Sequence, residues 1–506
     1  MHKGWRKTLL LLAATCVFWG LSGCSTIPAN PPAMPGETPG TTSTPPATEL
    51  PQVFRLGYSA DDALNPYLAE SAINTQLGEL LYEGLYSFAA DMTPLPQLAN
   101  ELIQAERTVR IRLRTGAVFS DGSTVMPADV IASFDKAKIH AVYGPTLAAF
   151  TNVQADADGL LVFALSGGEP EAAACLSFPI LKASELDVPQ PLGTGRYAFR
   201  QKDTGAELVR QGNISGFAVI ELAPAENTET LLYGLESGMV SYFRHTLAEG
   251  TLPRTSSATV ATDMTSLVFL GVNGNRSGLS QAAVRQALSA AINREVLCRS
   301  AFDSYARPAL APWHSQWGRM AQATMPLSEN AVTARELLTG AGYTIPGETT
   351  AAGTPAPKLL ELELLVNTDN PFRTAAAELI RTQLETVGIT VTVKTVSFTE
   401  YAAAIKRGSF DVYIGEIRQA ANMSLTPWLT SGGGAAAGIR QDNTAQVYTN
   451  YRDGTADIAA VLTAFGTEVP YIPLCWRQSI TLYRRDLAGV SVAPMSCYHA
   501  LDKWSF

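Results

Sequence analysis

Few residues of this chain have the types and spacing that catalysis or metal binding requires. The sequence contains no G-x-S-x-G, no phosphate-binding P-loop, no H-E-x-x-H and no G-x-G-x-x-G after a predicted strand. The five histidines are scattered, and the carboxylate pair Asp61-Asp62 lies in a polar loop, which indicates solvation rather than acid–base work. We therefore predict a protein that is not an enzyme and has no cofactor and no metal site.

Six cysteines are the other reactive residues. Cys16 and Cys24 lie near the N-terminus, and the remaining four form no C-x-x-C motif: Cys175, Cys298, Cys475 and Cys497. Two readings of these four fit an exported chain, a disulfide among them or buried free thiols.

The N-terminus has the pattern of an export signal. Lys3 and Arg6 precede a short apolar run that closes on Leu21-Ser22-Gly23-Cys24, which resembles the bacterial lipobox. This run is shorter than the roughly 20 apolar residues of a membrane-spanning helix. Residues 1–24 are thus predicted to be a lipoprotein signal peptide, with Cys24 as the site of lipid attachment. The alternative is an ordinary cleaved signal in which Cys24 is incidental.

Composition separates a stalk from a globular body. Residues 25–50 are rich in Pro and Thr and have almost no large apolar side chain, so they predict an extended stalk. The whole chain is 46% hydrophobic and 16% charged, and its net charge of -9 argues against nucleic-acid binding. At roughly 100 to 200 residues per domain, the body should form two or three folded units.

Apolar patterns in the body predict alternating strands and helices. The predicted strands lie at 53–58, 108–113, 360–366 and 389–393, and the predicted helices at 77–85, 128–138, 280–297 and 379–387. The last helix ends at Gly388 between two strands, which predicts a βαβ crossover in a parallel sheet.

Many short motifs, each weak alone, follow one another in a characteristic order along this body. They include Leu64-Asn65-Pro66, Tyr82-Glu83-Gly84-Leu85, Phe119-Ser120-Asp121-Gly122, Gly193-Thr194-Gly195-Arg196-Tyr197, Val284-Arg285-Gln286-Ala287-Leu288 and Phe410-Asp411-Val412. Together they resemble the family 5 bacterial extracellular solute-binding proteins, of the oligopeptide, dipeptide and nickel type. Most of these residues belong to the scaffold and do not mark a ligand site.

The resemblance implies an α/β fold of the two-lobed periplasmic-binding-protein type, with an extra subdomain and a hinge between the lobes. Lobe I would comprise residues 51–75, 185–272 and 476–506, the extra subdomain residues 76–184, and lobe II residues 273–475. A ligand that contacts both lobes would stabilise the closed state.

The implied function is ligand capture outside the cell membrane. The chain would be a monomer, lipid-anchored to the outer side of the cytoplasmic membrane, that delivers a peptide or peptide-like ligand to the permease and ATPase subunits of an ABC importer. Two alternatives stay open: a non-peptide ligand such as an opine, sugar or metal chelate, for import or sensing, and an exported peptide hydrolase.

The resemblance also suggests where the ligand binds. The expected site residues are Tyr58 and Asp61 after the first strand, Glu416, Arg418 and Asn422 after the strand at 410–414, and Trp476 as an aromatic platform. Equally, Trp476 could belong to the core and Arg418 could pair with Glu416 at the surface.

One departure from the family bears on the ligand class. Peptide-binding members carry an aspartate in the loop after this strand, and its carboxylate anchors the free ammonium of the peptide. Residues 415–427 contain no aspartate and include Arg418. Because an ammonium without a partner is costly to desolvate, either Glu416 substitutes for the missing anchor or the ligand is not a free-amine peptide.

Overall fold

The structure is a computed structural model that describes residues 52–346, 358–440 and 442–506. The predicted signal peptide, Cys24 and the stalk lie outside the described residues. In the ranges that are described, no helix is both long and apolar enough to cross a bilayer.

Strands and helices alternate along the body. The strands are β1 (Arg55–Tyr58), β2 (Tyr86–Phe88), β3 (Pro94–Pro96), β4 (Ala99–Ala105), β5 (Thr108–Leu113), β6 (Phe150–Ala155), β7 (Leu161–Leu165), β8 (Tyr197–Lys202), β9 (Gly205–Arg210), β10 (Val219–Pro224), β11 (Tyr242–His245), β12 (Ala258–Val272), β13 (Ala306–Pro308), β14 (Leu360–Asn367), β15 (Ile389–Val396), β16 (Val412–Arg418) and β17 (Tyr471–Tyr483). The helices are α1 (Ala72–Leu81), α2 (Pro127–Ile139), α3 (Ala172–Cys175), α4 (Thr228–Glu236), α5 (Ala282–Ala291), α6 (Arg294–Ala301), α7 (Ala331–Gly340), α8 (Pro371–Glu385), α9 (Phe398–Lys406), α10 (Thr426–Leu429), α11 (Asn443–Arg452) and α12 (Ile458–Glu468).

A mixed sheet of eleven strands forms the frame of the body. Its order is β15-β14-β16-β12-β17-β11-β1-β10-β9-β8, and β13 pairs with β17 beside this path. We call β1 and β8 to β11 the first half-sheet, and β14, β15 and β16 the second half-sheet. The long strands β12 and β17 lie between the two half-sheets and join them.

The regular pairing of β12 with β17 is interrupted between the half-sheets. Asp263 pairs with Gln478, whereas the next pair is Leu267 with Trp476, so three residues of β12 face one residue of β17. Such bulges bend a strand locally and increase its twist. The interruption therefore lies where a hinge between two lobes would need the strands to bend.

Residues 86–175, which we call the small-sheet region, have sheets of their own. β2 pairs with β3, and β4-β5-β7-β6 form an antiparallel four-stranded sheet. Helix α2 covers this sheet, with the Phe134 ring 5.7 Å from that of Phe163. This region overlaps residues 76–184, for which an extra subdomain stays a prediction.

The strand–helix–strand prediction in the C-terminal half is confirmed. β14, α8 and β15 occupy the predicted positions, and β14 pairs in parallel with β15 from Leu360 opposite Ile389 onward. Gly388 has a φ of 91°, a left-handed conformation that glycine adopts without strain at the end of a helix.

The prediction of one helix over 280–297 is wrong. α5 ends at Ala291 and α6 begins at Arg294, because the Asn293 side chain accepts a hydrogen bond from the Val296 amide and caps a new helix. The guanidinium of Arg294 is buried and donates to three backbone carbonyls, which fixes the break.

The first helix is also shorter than its apolar pattern, which extended to Leu85. α1 ends at Leu81, whose carbonyl accepts a hydrogen bond of 2.9 Å from the Gly195 amide. A side chain at Gly195 would place its Cβ 2.3 Å from the Leu80 carbonyl oxygen, so only glycine allows this approach. The helix ends because another segment competes for its carbonyl.

The four cysteines of the body are free thiols. The sequence left open a disulfide or free thiols, and the structure shows free thiols. Burial raises the pKa of Cys497 to about 11, so this thiol is protonated at neutral pH.

Candidate functional site

Three parallel strands of the first half-sheet end at one edge, and a cavity lies there. β10 and β11 both run parallel to β1, so their carboxyl ends lie together. Ligands of open α/β sheets bind outside such ends. The cavity has a volume of about 290 Å³, and its lining includes Gly57, Ser71, Gln76, Asn227, Arg244 and Tyr498. We call it the strand-end cavity.

Two helices begin at the strand-end cavity. Ser71 caps α1 by accepting from the Asn74 amide, and Asn227 caps α4 by accepting from the Thr230 amide. Both caps line the cavity. The first turn of a helix carries partial positive charge, and the cavity lining also contains the carboxylates of Glu226 and Glu249, so this end of the cavity presents charges of both signs.

The loop after β1 is held by Asp62 rather than by Asp61. Asp61 is exposed, whereas the Asp62 carboxylate accepts from the amides of Ala63, Glu70 and Ser71 at 2.8 to 3.1 Å. Burial alone would raise the pKa of Asp62, but these hydrogen bonds lower it below its usual value. The sequence did not single out Asp62, because nothing local distinguishes two adjacent aspartates.

Tyr58 lies at the end of β1 and is buried. Its ring lies 5.9 Å from that of Phe199, and burial raises the pKa of its hydroxyl, with Asp62 adding to the effect. The side chain supports the loop, and little of its surface can meet a ligand.

Arg244 is a cavity residue that the sequence did not indicate. It lies in β11, and its guanidinium donates to the Ser479 hydroxyl at 2.6 Å and to three backbone carbonyls, those of Asp263, Ala493 and Ser496. No local pattern marks it, because its partners are far away in the sequence. It fastens the C-terminal segment against β12 and adds positive charge to the cavity wall.

Arg418 is the last residue of β16 and is exposed to solvent. It pairs with the interrupted stretch of β12, which we call the seam between the half-sheets. Its side chain makes no hydrogen bond or ion pair with any residue in the described ranges. Desolvation by the surrounding protein lowers its pKa, and the positive charge of Arg244 lowers it further. Burial raises the pKa of Tyr143, in the small-sheet region, to about 12. The positive charge of Arg418 is close enough to oppose this rise. An unpaired guanidinium in such a place is suited to an anionic ligand group.

Glu416 lies two residues earlier on the same face of β16 and is fully engaged. Its carboxylate lies 3.4 Å from the guanidinium of Arg373 and 3.4 Å from that of Arg477. The Arg477 side chain is 2% exposed and stacks over the rings of Phe302 and Phe372. One carboxylate therefore pairs with two guanidinium groups, so the cluster keeps a net positive charge and does not favour a ligand ammonium.

The other two expected site residues lie elsewhere. Asn422 is buried and donates to the Glu169 carboxylate at 3.2 Å, in a contact with the small-sheet region. Trp476 is 1% exposed and lies 4.8 Å from the His314 ring, inside the core beside the interrupted pairing of β12 and β17. In this form a ligand could not stack on Trp476. The structure thus keeps Glu416 and Arg418 together on β16 and places Tyr58, Asp61, Asn422 and Trp476 elsewhere.

The side chains of the described residues do not form a metal-binding group. Among them, no three His, Cys, Asp or Glu side chains converge as ligands of a metal ion would.

Comparison with known proteins identifies relatives over most of the chain. Residues 64–436 match the family model of bacterial extracellular solute-binding proteins, family 5 Middle. The glutathione-binding protein GsiB of Salmonella paratyphi A is 22% identical over 485 residues, which cover 85% of this chain and 90% of GsiB. The oligopeptide-binding protein AppA of Bacillus subtilis is 21% identical over 393 residues, which cover 71% of this chain and 70% of AppA.

Solved structures share the fold. The murein tripeptide binding protein MppA, in its unliganded open form, superposes with a TM-score of 0.73 at 17% identity, covering 90% of this chain and 98% of MppA. A nickel ABC transporter protein from Bacillus halodurans also gives a TM-score of 0.73, at 19% identity, covering 90% of this chain and 99% of that protein. At these identities the likeness establishes the fold, which is the two-lobed binding-protein fold expected from the sequence.

Proposed function

Because the chain belongs to family 5 of the bacterial extracellular solute-binding proteins, we propose that it captures a peptide-like ligand between its lobes and presents it to an ABC importer. Proteins of this family work with a permease and ATPase subunits, which would be the partners of this chain. The strand-end cavity on the first half-sheet and Arg418 on the second would be the two sides of the cleft. The lobes would follow the boundaries drawn from the sequence, with residues 76–184 as the extra subdomain.

The proposed class of ligand rests on the unpaired guanidinium of Arg418. Desolvation lowers the pKa of this guanidinium and the like charge of Arg244 lowers it further, so an anionic ligand group would relieve the repulsion. Glutathione, oligopeptides and the murein tripeptide, for which the relatives are named, all carry carboxylates. We propose that a carboxylate of the ligand binds at Arg418.

The amino end of the ligand would not be held by Glu416. That carboxylate is already bound to Arg373 and Arg477. Of the two explanations for the missing aspartate, we therefore favour a ligand whose anchoring does not depend on a free ammonium. This arrangement leaves room for a blocked peptide, an opine or a chelate with carboxylates.

Binding without chemical conversion is the proposed activity. The family and its structural neighbours are substrate-binding proteins. Incubation of a bound ligand with the protein should return it intact by mass spectrometry. Turnover in proportion to protein concentration would instead favour an exported hydrolase.

The location would be the outer side of the cytoplasmic membrane, through lipid at Cys24. The support for this is the lipobox pattern and the stalk that follows it. The mature protein should partition into the detergent phase, and Cys24→Ala should release it. Unprocessed full-length protein in the cytoplasm as the main species would contradict this proposal.

A thermal-shift screen would test the function directly. The panel should contain glutathione, free and N-acetylated peptides, opines, sugars and nickel–histidine chelates. A ligand at one hundred times its Kd should stabilise the protein by about 2.7 kcal/mol. A saturable shift with a carboxylate ligand supports the proposal, and saturable shifts only with uncharged sugars would contradict the assigned ligand class.

A further inference from the structure

The small-sheet region contacts the part of the chain that follows β12, which we call the second half of the body. This contact lies away from β12 and β17. Residues 167–171, which we call the clasp segment, follow β7 and reach the end of α11. The Gly168 amide donates to the Asp453 carboxylate at 3.1 Å, and the Arg452 guanidinium donates to the Gly168 carbonyl at 3.1 Å. The backbone of the clasp segment thus both donates and accepts a hydrogen bond at the end of α11.

Two buried carboxylates of the clasp segment extend this contact. Glu169 accepts from the Asn422 side chain at 3.2 Å, and Glu171 accepts from the Tyr451 hydroxyl at 3.3 Å. Glu171 also forms an ion pair of 2.5 Å with Arg319. Both glutamates are only 6% exposed. Buried carboxylates are costly unless they are paired and hydrogen-bonded, so this contact is specifically built rather than incidental.

The close fit at Gly168 shows how tightly the two sides meet. A Cβ on Gly168 would lie 1.9 Å from the Arg452 carbonyl oxygen, whereas a Cβ on neighbouring Gly167 would meet nothing within 4 Å. The three nearest atoms to the Cβ on Gly168 all belong to Arg452 and Asp453.

We propose that the contact made by the clasp segment belongs to the closed form, where it fastens the small-sheet region to the second half of the body and so sets how readily the ligand cleft opens. The inference rests on the proposed function, since only a cleft that opens and closes needs such a fastening. MppA, which has the same fold, exists in an unliganded open form. The apparent affinity for ligand falls with the fraction of protein in the binding-competent state, so the clasp would tune affinity without touching the ligand.

Protonation of Glu171 gives the clasp a pH dependence. Burial raises the pKa of Glu171 to about 7, although Arg319 and Tyr451 oppose this effect and Glu169 adds to it. The charged and titratable groups around the two glutamates are Arg319, Arg452, Tyr448, Tyr451 and Cys175. In the open form Glu171 would meet water, and its pKa would return towards its usual value of about 4.3.

The sign of this dependence follows from linkage. The closed form binds the proton more tightly, so closure is strongest at acidic pH and weakens as the pH rises through about 7. Glu171→Gln keeps the size of the side chain and removes the titration, so it should flatten the change in closure between acidic and alkaline pH.

The test compares Gly168→Ala with its matched control Gly167→Ala. Small-angle scattering of the purified protein, with and without glutathione as the probe, should show a larger radius of gyration for Gly168→Ala than for wild type. Gly167→Ala should behave as wild type. If glutathione binds, its Kd should rise about tenfold in Gly168→Ala and stay unchanged in the control.

The outcomes separate the clasp from the proposed function. If glutathione binds none of the proteins, the proposed function is not supported for this ligand. The clasp is then tested by the radius of gyration of the ligand-free proteins. Equal dimensions of wild type and Gly168→Ala, both with and without the probe, would overturn the clasp even if glutathione binds. Expansion of both alanine variants by the same amount would overturn it as well, because a Cβ on Gly168 would meet Arg452 of α11, whereas a Cβ on Gly167 would meet nothing within 4 Å.

Discussion

Glu416 and Arg418 lie two positions apart on one face of β16, and their surroundings are opposite. Glu416 is enclosed between Arg373 and Arg477. Arg418 is exposed at the seam, has no ion-pair partner among the described residues and is repelled by the like charge of Arg244. A satisfied buried charge contributes to folding, whereas an unsatisfied charge at a cleft is available to a ligand. On this difference we propose that the first residue contributes to stability and the second to ligand binding.

The largest expected effect is on the stability of a Glu416→Gln variant. Removing the carboxylate leaves two guanidinium groups without a counter-charge, and the one on Arg477 is almost fully buried. The free energy of unfolding should fall by about 3 kcal/mol, measured by urea denaturation. Glu361→Gln, on an exposed position of β14, should stay within about 0.5 kcal/mol of wild type. Equal stability of both variants would show that Glu416 is not engaged as described.

The next largest effect is on ligand affinity in Arg418→Gln. Loss of a charge-assisted hydrogen bond should weaken binding of a carboxylate ligand by about 2 kcal/mol, roughly thirtyfold, in calorimetric titrations. Unfolding should be almost unchanged, because this side chain has no partner to lose among the described residues. Arg110→Gln, at an exposed position of β5, is the control and should bind as wild type. An unfolding defect in Arg418→Gln with normal affinity would reverse the comparison.

The smallest effect concerns the amino end of the ligand. Because Glu416 is occupied by two arginines, matched free and N-acetylated peptides should bind with affinities within about threefold of each other, which is less than 1 kcal/mol. Calorimetry with both forms would measure this. Tight binding that acetylation abolishes in wild type but not in Glu416→Gln would show that Glu416 is the ammonium anchor after all.

The sequence predicted the elements whose signals are local. The unit from β14 to β15 follows from apolar periodicity and from Gly388, and the motif order indicated the family. The break between α5 and α6 was missed because the apolar pattern continues across it, and only the cap at Asn293 and the buried contacts of Arg294 interrupt the helix.

The site was harder to predict because its partners are distant along the chain. Glu416 meets Arg373 and Arg477 across 43 and 61 positions, and Asn422 meets Glu169 across 253 positions. From the sequence alone, Trp476 is equally suited to a platform or to a core. Only the folded chain shows which polar side chains are already bonded, and that distinction decides which ones can bind a ligand.

A thermodynamic cycle between Arg418 and the ligand carboxylate tests the central claim most directly. The tightest-binding compound of the screen and its carboxamide would be titrated calorimetrically into wild type and into Arg418→Gln. The account predicts that amidation costs about 2 kcal/mol in wild type and little in the variant, because the interaction is lost only once. The same cost in both proteins would show that the carboxylate binds elsewhere and would contradict the account.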